Sequence, residues 1–469
     1  MRAVRYVVGS ILVLLIISSA MAASAQTALP AETTAAVDRA VAEILATSGA
    51  PSASIAVVQD GAIAYVRAYG NARLEPRLAA APDMRYSIGS ISKQFTAAAI
   101  LLLAEEGKLS LDDHVGRWLP DLTRANEVTV RQLLSMTSGY QDYWPQDYVM
   151  PGMLKDVTPE AILRGWARKP LDFDPGTKWQ YSNTNYVIAG QIAEKVAGKP
   201  LLDFLRERVF APLKMASVVN TDEAALADAE PMRYMRYALA PPRPAPKEGR
   251  GWMFAAGELA MTARDLAQWD LSMINQAVLR PPSYRQMETE TLLANGAPTG
   301  YGLGVSVAMA GGRRQISHGG EVSGFTAHNV VYPDERAAIV VLANLDATGA
   351  SSQIASRIAS LLFTANNAET RQAVEQAQRI FEELQQGRID RSLFTDNCNA
   401  YFTPEALKDF QSSLGPLGKP AAFAQAGQGL RGGMVLRRFQ IAFSGRMLSL
   451  TTFTMPDGKI EQYQVAASE

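Results

Sequence analysis

A serine and a lysine three residues apart, Ser90 and Lys93, open the stretch "GSISKQFTAAAILLLAEEG". On a helix that spacing puts both side chains on one face, within reach of each other. A serine hydroxyl is a weak nucleophile until a neighbouring base takes its proton, and a lysine can be that base only when desolvation pulls its pKa down. From Phe95 to Ala104 nearly every residue is apolar or alanine, so the helix has no polar face and must lie buried, with Gly107 closing it. Burial supplies the desolvation, and the helix N-terminus adds partial positive charge and free N–H groups suited to an oxyanion. An isolated Ser-x-x-Lys also fits an N-cap serine beside a snorkelling lysine. Here no other lysine follows a serine by three positions, and the apolar helix favours the chemical reading.

Two further clusters hold reactive types. In "WQYSNTNY" (179–186), Tyr181 and Asn183 stand two apart on what reads as an extended or loop segment before a helix starting near Val187. They offer a phenol that can shuttle protons and an amide that can bind a substrate carbonyl. In "ISHGGEVSG" (316–324), His318 precedes Gly319 and Gly320, a pairing that lets another backbone approach an edge strand closely. Of the other two histidines, His114 reads as an ordinary connection residue and His328 as a core or surface residue.

The elements that must position these residues follow from periodicity. Residues 34–49 read as an amphipathic helix, and "ASIAVVQDGAIAYVRAYG" as a hairpin turning at Asp60-Gly61. The pattern is helical from about 100 to 310 and returns to strands over 314–346, with a turn at Pro333-Asp334. Strands at both ends with helices between imply one α/β domain whose sheet is completed late, with an all-helical part inserted. Near "TANNAET" (364–370) the apolar pattern lapses, which places a boundary there. Beyond it a helix over 371–390 and strands at 435–443, 446–455 and 459–466 predict a small α+β module. In its first strand Phe439, Ile441 and Phe443 share an apolar face, while Arg438 and Gln440 face away.

Composition narrows the class. The 469 residues hold 45 basic against 46 acidic side chains, a net charge of −1, which gives no footing for nucleic acid or a membrane surface. Arg2 and Arg5, the apolar run 7–17 and the small residues Ala23-Ser24-Ala25 read as a secretory signal peptide cut before Gln26, the alternative being an uncleaved anchor whose polar and small second half makes a poor membrane span. The expected organisation is therefore a leader over 1–25, a main domain over 26–364 and the small module over 365–469. The expected location is periplasmic or secreted, without stable membrane association after cleavage. Cys398, the single cysteine, cannot form an intramolecular bridge and reads as a buried small apolar residue.

Ser90-x-x-Lys93, Tyr181-x-Asn183 and His318-x-Gly320, in this order and at these wide spacings, resemble the three motifs of penicillin-recognising serine hydrolases. The resemblance is to the branch holding class C β-lactamases, D-alanyl-D-alanine carboxypeptidases, D-aminopeptidases and β-lactamase-fold esterases. It covers roughly residues 35–362 and extends to "VTVRQLLSMTSGY", "FDPGTKWQYSNTNYVIAGQIAEKVAGKPL", "AAGELAMTARDLAQW" and "YGLGV". It implies a β-lactamase-like antiparallel sheet flanked by helices. Ser90 would be the acylated nucleophile, Lys93 the base or proton relay, Tyr181 a proton shuttle and Asn183 a substrate-amide ligand. The backbone N–H groups of Ser90 and Glu321 would form the oxyanion hole, and His318, Gly319 and Gly320 would bind substrate. The implied reaction is two-step acyl transfer to water on a small-molecule or peptide substrate, with no metal or organic cofactor. The C-terminal module resembles the NTF2/SnoaL-like fold.

Where the β-lactamase pattern has a lysine at its third motif, this chain has His318, so the site loses a fixed cation for a substrate carboxylate, and Glu321 adds to that effect. D-amino-acid amides or peptides, or small esters, become the favoured substrates. β-lactamase or D-Ala-D-Ala carboxypeptidase activity, or a slowly acylating sensor, are the alternatives. No Gly-x-Ser-x-Gly elbow and no His-Glu-x-x-His occurs, which weighs against an α/β-hydrolase and a zinc hydrolase. Oligomeric state is left open.

Overall fold

The computed structural model describes residues 28–146, 148–366 and 368–467; the expected leader lies outside them. Helix α1 (Ala31–Ser48) leads into the hairpin β1 (Ser52–Gln59) and β2 (Ala62–Arg73), turning at Asp60-Gly61 as the sequence predicts. The long helical part follows, including α2 (Ser92–Glu105), α3 (Asn183–Ala197) and α4 (Ala263–Asn275). The chain then returns to β3 (Ser306–Ala310), β4 (Arg313–Val322), β5 (Phe325–Tyr332) and β6 (Ala337–Ala343), and closes with α5 (Ala350–Asn366).

These strands and the short strand Leu78–Ala79 make one seven-stranded sheet, in the order Leu78–Ala79, β2, β1, β6, β5, β4, β3. Every pairing in it is antiparallel, and β1 against β6 joins the two ends of the domain. Being central, β1 and β6 are buried on both faces, which is why "SASIAVVQ" and "AAIVVLA" hardly alternate. Ala53, Ile55 and Val57 face a core shared with α1 and α5, whereas Ala56 and Val58 face the helical part. The sheet is therefore covered on both sides, as the α/β reading required.

Helix α2 is buried from Ser92 to Leu103. Phe95 packs on Trp269 and Phe210, with ring centroids 4.8 and 5.4 Å apart. At the other end Gly107 closes the helix in the left-handed region, its N–H and that of Lys108 donating to the carbonyls of Ala104 and Leu103. Beside Lys93, Gln94 enters a buried polar chain. Its Oε1 accepts from Trp269 Nε1 at 2.7 Å, its Nε2 donates to Asn329 Oδ1 at 3.0 Å, and Asn329 Nδ2 donates to Asp270 Oδ1 at 2.7 Å.

Beyond Asn366, α6 (Ala368–Leu384) leads through shorter helices to a four-stranded antiparallel meander: β7 (Ala422–Arg431), β8 (Met434–Phe443), β9 (Arg446–Thr454) and β10 (Ile460–Ala467). Ile380 and Phe381 pack on Phe439, Ile441 and Leu450, and Cys398 is buried among them. The sequence pattern marks three of these strands and passes over β7, whose "AFAQAGQGLR" is exposed or half-exposed throughout and carries little apolar alternation. Backbone pairing to β8 holds it in place. No helix among the described residues is long and apolar enough to cross a membrane.

Asp270 is fully buried and its Oδ2 has no hydrogen-bond partner, so burial pushes its pKa up to about 8. Its folded-state pKa lies above the unfolded value, and the folded chain therefore holds a proton that the unfolded chain has released. Its contribution is complete below about pH 4 and is lost as pH rises towards about 8. The variant Asp270→Asn keeps the acceptor for Asn329 without the charge. Thermal melts between pH 4 and 9 should show a smaller loss of stability on the alkaline side for the variant than for wild type, and equal slopes would contradict this.

Candidate active site

The site is built where β4 presses on the turn before α2. Ser90 sits on a 3-10 turn, Gly89–Ile91, and not on the α-helix itself, which starts at Ser92. The difference comes from Gly89, whose φ of +51° bends the chain against β4. A Cβ on Gly89 would lie 2.8 Å from Glu321 N, and one on Gly320 would lie 1.9 Å from Ile88 O. Both glycines are thus required by contact between turn and strand. Strand β3 pairs with β4 only from Arg313 to Ser317, so His318 to Val322 lie beyond that pairing, along the cleft.

Lys93 is fully buried, and its Nζ has three oxygen neighbours: Ser90 Oγ at 2.9 Å, Asn183 Oδ1 at 2.8 Å and Ala256 O at 2.8 Å. Two of these oxygens can only accept. A neutral amine therefore spends its two N–H groups on Asn183 and Ala256, and its lone pair is left facing Ser90 Oγ, which can donate. Burial pulls the Lys93 pKa down to about 7, against the opposing pull of Asp142. The amine also lies 5.0 Å from the centre of the Tyr181 ring and 5.6 Å from that of Tyr186.

Asn183 is on the first turn of α3, earlier than the start near Val187 that its polar neighbours suggest, and Tyr181 lies just before it. The helix can begin there because Asp142, from the loop after Tyr140, accepts the Asn183 N–H on Oδ1 at 2.9 Å and the Trp144 N–H at 3.1 Å. Its Oδ2 accepts from Asn183 Nδ2 at 3.3 Å. A carboxylate 41 residues away thus caps this helix, which local sequence cannot reveal. The Tyr181 phenol hydrogen-bonds with Ser90, and burial pushes its pKa well above the ordinary value, so it stays protonated near neutrality.

His318 is buried, with Nδ1 2.5 Å from its neighbour Gly319 O and Nε2 2.8 Å from Tyr301 Oη. A carbonyl only accepts, so Nδ1 carries the hydrogen and Nε2 accepts from the Tyr301 hydroxyl. Burial, with the Lys93 charge second, pushes its pKa down to about 3. The ring is neutral throughout the physiological range. Glu321 Oε1 accepts from Ala347 N at 2.7 Å, and the residue lines the cleft with Gly319 and Gly320.

The cleft encloses about 710 Å³. Ser90, Tyr181, Asn183 and His318 open onto it, with Trp144 and Tyr148 on an aromatic side. Asp142, Glu321 and Asp346 line it too, and among the described residues no arginine or lysine does. The structure thus brings together every residue singled out from the sequence: Ser90, Lys93, Tyr181, Asn183, His318, Gly319, Gly320 and Glu321. Sequence reading missed Asp142, Tyr301 and the Ala256 carbonyl. The loop "YQDYW" and the segments "YGLGV" and "AAGELAM" hold them, and a carboxylate set among aromatics was the available signal for Asp142. Among the described residues no group of three or more His, Cys, Asp or Glu could hold a metal ion.

Because Gly320 abuts Ile88, a methyl at this position must separate strand from turn. Gly320→Ala is expected to destabilise the fold by about 1–3 kcal/mol and to lower kcat more than that loss explains, as read by thermal melts and steady-state kinetics. A variant with unchanged kcat would show that the contact does not position Ser90.

Comparison with known proteins agrees with this geometry. The D-aminopeptidase of Brucella anthropi is 29% identical over 323 residues, covering 68% of this chain and 60% of that protein. The chain thus spans about three fifths of the length of the curated relatives it matches. A D-stereospecific amidohydrolase from Streptomyces sp. superposes with a TM-score of 0.61 at 29% identity, over 71% of this chain and 99% of that one. The octameric penicillin-binding protein homologue from Pyrococcus abyssi shares the fold over 92% of this chain and 99% of its own, with a TM-score of 0.62 at 22% identity. The family described as Beta-lactamase matches residues 37–362, ending before the C-terminal module. With that match spanning most of the chain, and Ser90, Lys93, Tyr181, Asn183 and His318 gathered in one cleft, the protein belongs to the Beta-lactamase family.

Proposed function

We propose that the protein hydrolyses amides or small esters through an acyl-enzyme on Ser90. The observation that carries this reading is the buried Lys93 amine, whose two obligate acceptors leave its lone pair to Ser90 Oγ at 2.9 Å. Lys93 takes the hydroxyl proton as Ser90 attacks the carbonyl. Tyr181, protonated and hydrogen-bonded to Ser90, passes its proton to the leaving group as the scissile bond breaks and is reprotonated from the Lys93 ammonium. Water then attacks the acyl ester, giving a proton to Lys93, and that proton returns to Ser90 Oγ as the Ser90–acyl bond breaks and the acid leaves. The N–H groups of Ser90 and Glu321 hold the oxyanion. His318, Gly319 and Gly320 line the substrate strand position, and Asn183 contributes its remaining amide hydrogen to the substrate.

Cleft polarity supports a substrate class. His318 is neutral, and among the described residues three carboxylates line the cleft with no arginine or lysine beside them, so a substrate carboxylate is repelled and a free amine attracted. D-amino-acid amides and peptides with a free amino group are the favoured substrates, in keeping with the names of the D-aminopeptidase and D-stereospecific amidohydrolase relatives. Export to the periplasm or beyond is part of the proposal and rests on the leader pattern of residues 1–25.

Ser90→Ala should lower kcat/KM by about 10⁴–10⁶-fold, and a fluorophosphonate should add its mass at Ser90 in wild type alone. For wild type, kcat/KM should rise with pH through about 7 as the Lys93 amine loses its proton. Acetylating the amine of a D-amino-acid anilide should lower kcat/KM by about tenfold, the factor that ~1.4 kcal/mol of lost attraction produces. Undiminished turnover by Ser90→Ala overturns the mechanism, and equal rates on nitrocefin and on D-amino-acid amides overturn the substrate class.

A further inference from the structure

We infer that Asp142 is a positioning residue, one that holds the Asn183 carboxamide in the orientation that leaves the Lys93 lone pair to Ser90. This rests on the acyl-transfer reading above.

A carboxamide can turn over, exchanging oxygen for nitrogen with little change of shape. In the observed orientation Asn183 Oδ1 accepts from Lys93 Nζ at 2.8 Å, and Nδ2 donates to Asp142 Oδ2 at 3.3 Å. Turned over, Nδ2 would donate to the amine lone pair. The Nζ–H so released would swing to Ser90 Oγ as a donor, and the base would be occupied. Asp142 opposes that state, because the turned carboxamide would place its oxygen against the carboxylate. Asp142 is itself tied by the N–H groups of Asn183 and Trp144, at 2.9 and 3.1 Å, so it cannot follow the turn.

The same carboxylate contributes charge. Lys93 is faced by Ser90 from the turn, by Tyr181, Asn183 and Tyr186 at the start of α3, and by the Ala256 carbonyl. Asp142 and the neutral His318 complete its electrostatic surroundings. Asp142 is the one carboxylate in that set, so its ionised form favours the ammonium. Tyr143 and Tyr181 are the titratable groups that feel Asp142 in turn.

The test is kinetics on the full-length chain from about pH 5 to 9, with Asp142→Asn, Asn183→Ala, the double variant and Ser90→Ala. Asp142→Asn keeps the acceptor for the backbone N–H groups but sets a donor against Asn183 Nδ2. It should lower kcat by about 10²-fold, as a small misplacement does, with KM nearly unchanged. It should also move the acid limb of kcat/KM to lower pH, and add little to the loss caused by Asn183→Ala alone. If Asp142→Asn does not fold, Asp142→Ser, which removes the charge and leaves one acceptor, is measured in the same way. An unmoved acid limb, or losses that multiply in the double variant, overturns the inference. Turnover by Ser90→Ala overturns the acyl-transfer reading instead.

Discussion

A single amine, taken wholly out of water, is the constraint on which the rest of this structure depends. Removing an ammonium from solvent is costly, and the protein meets that cost by letting the group be neutral and by hydrogen-bonding all of it. Two carbonyl-type oxygens, from Asn183 and Ala256, take the N–H groups of Lys93, and Ser90 stands at the third position. The geometry that makes the lysine tolerable in the core is the geometry on which its proposed role as a base rests.

That arrangement needs partners from widely separated parts of the chain. Ser90 and Lys93 come from the turn and helix after the first hairpin, Asn183 from a helix ninety positions on, and His318 and Glu321 from a strand laid down after the helical part. The sheet brings the late strands back. Pairing of β1 with β6 closes the domain, and β4 two strands away reaches Gly89 only because Gly89 and Gly320 lack side chains. The C-terminal module builds its own core around Phe381, Phe439 and Ile441, apart from the clusters that support the site.

His318 shows how context resets a residue's chemistry. Its type suggests a group that titrates near neutrality, yet burial against Tyr301 and near Lys93 leaves it neutral with one tautomer. The loss of a fixed cation, readable from residue type at the third motif, is thereby made firmer. Carboxylates on the cleft wall extend the same polarity, which is the charge pattern on which the proposed substrate class rests.

The sequence by itself determined the Ser90–Lys93 pair, the apolar helix behind it, the first hairpin, the strands between 314 and 346 and the three ordered motifs, because each is a local pattern of spacing, period or side-chain type, whereas the edge strand Ser306–Ala310 falls in a stretch whose pattern reads as helical. It was less able to mark the boundaries of elements whose ends are set from afar. The helix at Asn183 starts early because the Asp142 carboxylate caps it across the fold, the strand Ala422–Arg431 exists by pairing rather than by apolar alternation, and Ser90 lies on a 3-10 turn because Gly89 must meet β4. Only tertiary structure decided which oxygens surround Lys93, which tautomer His318 holds and that Asp142 belongs to the site. Hydrogen-bond partners and desolvation depend on distances in space that separation along the chain does not encode.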